Sequence, residues 1–311
     1  MTDGKHQSLD LAELLPSWLR SLRAENKSPR TVTSYELAAT QLVSYLTDQG
    51  LPIAAREVDR AAIQDFLNLV LATRASATAK QRYASLRQWF RWLELEEEID
   101  TNPFDKLRPP KVIEQPVPVL TLDEIRALLA TCSSDPGDWK RQRFANVRDE
   151  AIIRLFVDTG MRHGELLKLK TSDVDLDLGV AVILGKGRKL RTAPFGAKTT
   201  KALDQYTRRR SQHAHADREE LWLGPRGPIT DSAIAQSLAR RSKTAGLPYR
   251  VHPHMFRHTF AHQWLAAGGA EGDLQRIAGW ESPQMLQRYG ASAASERARD
   301  AHKRLGLGDK L

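Results

Sequence analysis

Between Leu9 and Glu98 the apolar residues return every three or four positions, the spacing of helices that bury one face. Leu9–Glu25 and Asp59–Leu71 each carry such a stripe. Ser28 followed by Pro29 sets an N-cap and a first-turn proline before a run that continues to Gly50. The stretch from Ser76 to Glu98 says most. At about 100° per residue, Lys80, Arg87 and Arg91 fall in one narrow stripe while Tyr83, Leu86, Phe90 and Leu93 share another face. One side packs, one side is basic, and the segment is expected to be a small all-α bundle.

A proline-rich stretch interrupts the pattern between Asn102 and Leu120. Pro103, Pro109, Pro110, Pro116 and Pro118 remove backbone donors and push the residues before them out of helical space, as in an extended linker. Beyond it, Thr121 with Glu124 is a capping box opening a helix to Ala130, and Arg148 to Leu169 reads as two helices broken near Thr159-Gly160. Then the period changes. Val180–Leu184 is a buried-strand run, Gly185-Lys186-Gly187 is a turn, and Leu190–Phe195 suits a returning strand. Helical patterns resume over Ser237–Thr244, Pro253–Ala267, Asp273–Ala278 and Pro283–Tyr289. The expected fold is mainly α: a helical N-terminal domain over 8–106, a Pro-rich linker over 107–118, and an α-rich C-terminal domain over 119–311 with a small antiparallel β-sheet.

Composition narrows the partners. Of 311 residues, 41% are hydrophobic, enough for ordinary cores, and 47 Lys and Arg stand against 38 Asp and Glu for a formal +9. That balance favours a polyanion, nucleic acid before an anionic membrane. The single cysteine, Cys132, excludes an intrachain disulfide and a thiolate zinc cluster and suits a reducing interior. The N-terminal MTDGKHQSLD has no signal-peptide core, and no apolar run approaches the roughly 18 residues of a membrane span. A soluble, cytoplasmic, nucleoid-associated protein is expected.

Five short segments carry candidate chemistry. In TGMRHGEL, Arg162 precedes Glu165 by three positions, which on a helix makes a structural ion pair. Lys186 stands between two glycines at the hairpin tip, with Arg188 and Lys189 behind it; alone this reads as a solvated turn. In HPHMFRHTF, Pro253 suits a first turn, and His254 and Arg257 lie one turn apart near a helix N-terminus, where backbone N–H groups favour anions. In AGWES, Trp280 follows the glycine that ends a short helix. In ESPQMLQRYG, Ser282 caps, Pro283 starts, and Tyr289 closes the last turn before Gly290.

Taken together, the ordered set Arg162, Lys186, His254, Arg257, Trp280, Tyr289 resembles the tyrosine recombinase (phage integrase) family. The chain order matches, as do the intervals of three residues from His254 to Arg257 and nine from Trp280 to Tyr289. The likeness spans about Val119 to Ala301 and, more loosely, the helical domain before it. It implies a core-binding domain followed by a catalytic domain that cuts and rejoins duplex DNA through a 3′-phosphotyrosine, with neither metal nor ATP. Arg162 and Arg257 would stabilise the charge that builds on the phosphorus oxygens, and Glu165 would hold Arg162. Tyr289 would be the nucleophile, Lys186 the acid for the leaving oxygen, and His254 a proton acceptor. Trp280 would pack against the site, and His258 would support it. Departures are local: most relatives carry His at the position of Trp280, Met255-Phe256 replaces a more usual aliphatic residue, and Gly290 follows the tyrosine directly.

The same resemblance implies double-stranded DNA as partner, with Lys80, Arg87, Arg91, Arg188 and Lys189 as DNA contacts, and a homotetramer on DNA. Ser295–Leu305, with Ala298, Ala301 and Leu305 on one side, is expected to pack on a neighbouring protomer. Accessory DNA-binding proteins fit such a system, whereas a separate arm-binding domain and a membrane partner are not expected. Asp173, Asp175 and Asp177 begin like a calcium loop, but Leu178 and Leu184 occupy its glycine and glutamate positions. His254, His258 and His262 recur every four residues without an HExxH pattern. Arg208, Arg209 and Arg210 with His213 and His215 read as a basic surface. Tyr206 and Tyr249 are rival nucleophiles outside the family spacing. Rival functions are a transposon-borne recombinase, a type IB topoisomerase-like enzyme, and a DNA-binding protein without catalysis.

Overall fold

The computed structural model describes residues 9–112, 118–133, 144–185, 190–280, 298–299, 302–304 and 306. The chain divides into two compact units, residues 1–115 and 116–311.

In the first unit the helix starts follow the capping residues. Helix α1 (Leu11–Ala24) begins after Asp10, whose backbone N–H donates to Glu13 Oε2 at 3.1 Å. Helix α2 (Pro29–Asp48) opens with Ser28 Oγ accepting from the Thr31 N–H at 3.2 Å. Helix α3 (Arg60–Thr73) opens with Asp59 Oδ1 accepting from the Ala62 N–H at 2.8 Å. Helix α4 (Ser76–Leu95) follows. Its Tyr83, Leu86, Phe90 and Leu93 are buried, while Lys80, Arg87 and Arg91 are exposed, as the two stripes require. The core is aromatic. Trp18 of α1 stacks on Trp89 of α4 at 5.5 Å and on Tyr35 of α2 at 5.6 Å. The chain leaving α4 closes the bundle: Phe104 packs on Tyr83 and Phe90, and the Tyr83 hydroxyl donates to the Leu107 carbonyl at 2.6 Å.

The second unit is built around α6 (Phe144–Thr159), which buries Val147, Ala151, Ile152, Ile153, Leu155 and Phe156. Before it, α5 (Leu122–Ala130) carries the Thr121–Glu124 capping box, with bonds of 3.2 and 2.8 Å. After it come α7 (His163–Leu167), then β1 (Val174–Asp175), β2 (Val180–Leu184) and β3 (Leu190–Pro194). The three strands form an antiparallel sheet in the order β1-β2-β3, with Ile183 opposite Arg191 and Ala181 opposite Ala193. Asp175 Oδ1 accepts from the N–H groups of Asp177 and Leu178, so this carboxylate shapes the turn into β2.

Helix α8 (Ala197–Arg210) is not among the sequence expectations: its buried positions, Thr199, Ala202, Leu203, Tyr206 and Arg210, include few strong hydrophobes. Arg210 also corrects the basic-surface reading, since it is buried and donates to the carbonyls of Ala216, Arg218, Glu220 and Leu221. A short hairpin, β4 (Leu223–Gly224) with β5 (Gly227–Pro228), leads to α9 (Asp231–Thr244), which starts six residues before the expected Ser237, at the Thr230 cap. Helices α10 (Pro253–Ala266) and α11 (Glu271–Ala278) follow. Phe256 of α10 stacks on Phe156 of α6 at 5.5 Å, and Thr259 of α10 accepts the Leu120 N–H at 2.9 Å. Among the described residues, no helix is long and apolar enough to cross a membrane.

Candidate active site

Three segments far apart in the chain meet at the C-terminal end of α11. The helix stops at Gly279, whose left-handed φ of 63° lets the Trp280 N–H reach back to the Gln275 carbonyl at 3.0 Å. The last carbonyls of a helix lack intrahelical partners and carry its negative dipole end. Here guanidiniums supply the partners. Arg191 Nη1 donates to the Ile277 carbonyl at 2.5 Å, Arg257 Nη2 to the Ala278 carbonyl at 2.7 Å, and Arg162 Nη2 to the Gly279 carbonyl at 3.3 Å.

Each arginine is placed by its own element. Helix α6 ends at Gly160, with φ of 54°, and a side chain there would overlap the Phe260 ring. The turn frees the Gly160 carbonyl, which accepts from Arg257 Nη1 at 2.8 Å. Arg257 is 1% exposed, and its guanidinium carbon lies 5.2 Å from the Trp280 ring centroid. Trp280 itself packs with Phe260, Ala261, Leu265, Leu274 and Ala278 in a small cluster between α10 and α11.

Arg162 makes the ion pair with Glu165 that the three-residue spacing suggested, but does so as the N-cap of α7 and not from the helix face. Glu165 returns to it twice, accepting the Arg162 N–H at 2.8 Å on Oε2 and Arg162 Nη1 at 2.8 Å on Oε1. Arg191 Nη2 also donates to Glu165 Oε2, at 2.7 Å. Burial alone would raise the Glu165 pKa, but Arg191 and then Arg162 overcome it and hold the carboxyl below its usual range. Burial pulls Arg191 below the ordinary arginine value, opposed by Glu165. The carboxylate is shared between two cations, and the Arg162 side chain keeps 38% of its surface open to solvent.

Arg162, Glu165, Arg257 and Trp280 are therefore assembled in one place. His254 lies one turn before Arg257 on α10 and is exposed, while His258 is buried on the same helix. Lys186, Arg188, Lys189 and Tyr289 lie outside the described residues. The rival tyrosines are occupied elsewhere. Tyr206 is fully buried, bonded to the Leu221 carbonyl and the Leu223 N–H, and burial pushes its hydroxyl up to about 12. Tyr249 donates to Glu124 at 2.6 Å and is likewise raised to about 12, by burial and by that carboxylate. Arg191 was missed at the sequence level. The available signal was parity: on β3 it shares the inward side with Ala193, an odd place for an arginine unless a buried acceptor awaits it.

Comparison with known proteins shows the family. Residues 118–296 match the Phage integrase family, and residues 15–97 match Phage integrase, N-terminal SAM-like domain. Tyrosine recombinase XerC of Oceanobacillus iheyensis is 30% identical over 274 residues, covering 85% of this chain and 86% of the relative. Tyrosine recombinase XerC of Halalkalibacterium halodurans is 27% identical over 287 residues, covering 90% and 92%. Among solved structures, a lambda integrase tetramer bound to a Holliday junction superposes with a TM-score of 0.70 at 21% identity, covering 91% of this chain and 78% of that one. The chain belongs to the phage integrase family of site-specific tyrosine recombinases.

Proposed function

We propose that this recombinase cleaves duplex DNA with Tyr289 and reseals it from a 3′-phosphotyrosine, using Arg162 and Arg257 to hold the scissile phosphate. The observation that carries the reading is the placement of these two arginines on successive carbonyls at the end of α11. A guanidinium has five N–H donors in a rigid fork. Arg162 commits one N–H on each terminal nitrogen within the chain and remains partly open. In the reaction, the Tyr289 oxygen bonds to phosphorus, the bond to the 5′ oxygen breaks, and the two arginines neutralise charge on the non-bridging oxygens. Lys186 gives a proton to the departing oxygen, His254 accepts the phenolic proton, and Trp280 packs beneath Arg257. His258 supports the helix that carries both. No ATP enters, because the phosphotyrosine conserves the bond energy for religation, and no metal is required where the two arginines supply the positive charge.

The exposed Lys80, Arg87 and Arg91 on α4, with Arg188 and Lys189 at the hairpin, contact DNA phosphates. Binding accordingly weakens steeply with salt. Four protomers assemble on two sites, with the tail from Ser295 to Leu305 docking on a neighbour; deleting residues 294–311 abolishes assembly on DNA and strand exchange. Accessory DNA-binding proteins are compatible with this scheme, and a DNA substrate places the protein at the nucleoid in the cytoplasm. The test is direct. Mixed with nicked duplex recovered by capture of bound genomic fragments, the protein forms a denaturant-resistant adduct that disappears in Tyr289→Phe. An adduct that persists in that variant contradicts the assignment.

A further inference from the structure

Residue 191 stands on the inward side of β3, across the ladder from Ile183, which is buried, and in step with Ala193, which is fully buried. An apolar side chain would satisfy that position at lower desolvation cost, and replacing buried ion pairs by hydrophobic residues is often neutral or stabilising. An arginine stands there instead. Its Nη2 takes Glu165 Oε2 at 2.7 Å, and its Nη1 takes the Ile277 carbonyl at 2.5 Å. Gly279 leaves room for it: a Cβ at that position would stand 2.7 Å from Arg191 Nε and 2.8 Å from its Cδ. One rigid fork thus touches the carboxylate that fixes Arg162 and the helix end whose Gly279 and Ala278 carbonyls accept from Arg162 and Arg257. It does so from β3, which pairs along its whole length with β2.

We propose that Arg191 is a positioning residue for strand cleavage. It fixes β3, the Arg162–Glu165 pair and the end of α11 in one frame, so that the phosphate-binding arginines keep a common register. This rests on the reading of Arg162 and Arg257 given above. Arg191 does not touch the phosphate; it acts through Glu165 and the Ile277 carbonyl. Loss of a rigid support that sets the geometry of reacting groups slows chemistry more than it weakens binding.

The test uses the full chain and the captured nicked duplex. Four measurements are made on wild type, Arg191→Leu, Arg191→Lys, Glu165→Gln and Tyr289→Phe: Tm, adduct rate, duplex Kd, and the pH profile of the rate. Arg191→Leu is expected to lower Tm while keeping its duplex Kd, and the adduct rate per folded molecule falls about 100-fold. Glu165 is faced by Arg162 from the start of α7 and by Arg191 from β3. Removing the second cation raises the Glu165 pKa, so the acid limb of the rate profile moves to higher pH, and Glu165→Gln eliminates that limb. Arg191→Lys keeps the charge but not the fork, so its rate falls while the limb stays in place. That variant also decides the matter if Arg191→Leu does not fold. A Tyr289-dependent adduct formed at the wild-type rate by either folded variant overturns the proposal alone. An adduct that survives in Tyr289→Phe overturns the site reading and the proposal with it.

Discussion

Two groups of arginines gathered on a buried carboxylate lie in the second unit, and they are built to different ends. Around Asp149 the nitrogens of the two buried guanidiniums, Arg148 and Arg241, are all spent inside the chain, while Arg240 reaches the same carboxylate at 4.0 Å from the exposed side. Arg148 gives Nε and Nη2 to Asp149 Oδ1 and Nη1 to the Leu223 carbonyl, while Arg241 gives its three nitrogens to Asp149, the Thr131 carbonyl and Asn146. Ser237 adds a short bond to the same carboxylate. Around Glu165 the arginines lean on backbone carbonyls of a helix end, and Arg162 opens to solvent. In the first group, Arg148 and Arg241 weld α6 to its neighbours and have no nitrogen left for a ligand. The second holds cations in place while leaving charge to offer, which is what a phosphodiester requires. Buried arginine by itself therefore says little about function; what matters is how the donors are spent.

The contrast breaks most visibly in stability. Asp149→Ala leaves Arg148 and Arg241 buried without their carboxylate, and urea unfolding of the full chain should show a loss of about 3–5 kcal/mol. Next comes Gly279→Ala, which forces a left-handed residue with a side chain against Arg191. A loss of about 1–3 kcal/mol is expected, seen as a lower urea midpoint at unchanged slope. The smallest effect is on pH. Glu165 is held below its usual range in the fold, so its contribution is complete above the ordinary value of about 4.3 and drains away as pH falls through the folded value. Tm measured between about pH 3 and 6 should fall less steeply in Glu165→Gln than in wild type.

The same contrast explains what could be read from residues alone. Helix starts were marked by local chemistry that needs no tertiary context: Ser28 with Pro29, and Thr121 with Glu124, cap where expected, and Asp59, at the start of an expected helical span, caps it as well. The two stripes of α4 were equally plain, because periodicity is a property of the segment itself. Helix α8 escaped notice because its buried side includes Thr199 and Arg210, whose value depends on carbonyls supplied from the loop that follows. Arg162 was recognised but misplaced, since a three-residue spacing is shared by helix faces and by caps. Arg191 went unseen for a deeper reason. Its acceptors are a carboxylate 26 residues back and a carbonyl 86 residues ahead, and a backbone carbonyl leaves no mark in a sequence.

The claim that the Glu165 cluster, and not the Asp149 cluster, holds the scissile phosphate is tested most directly by adduct rates per folded molecule in Arg162→Ala and Arg241→Ala. On the captured nicked duplex, Arg162→Ala should slow about 10²–10³-fold with most of its stability intact. Arg241→Ala should lose stability yet keep the wild-type rate per folded molecule. Wild-type cleavage by Arg162→Ala, or a loss in Arg241→Ala that matches it, would contradict the account.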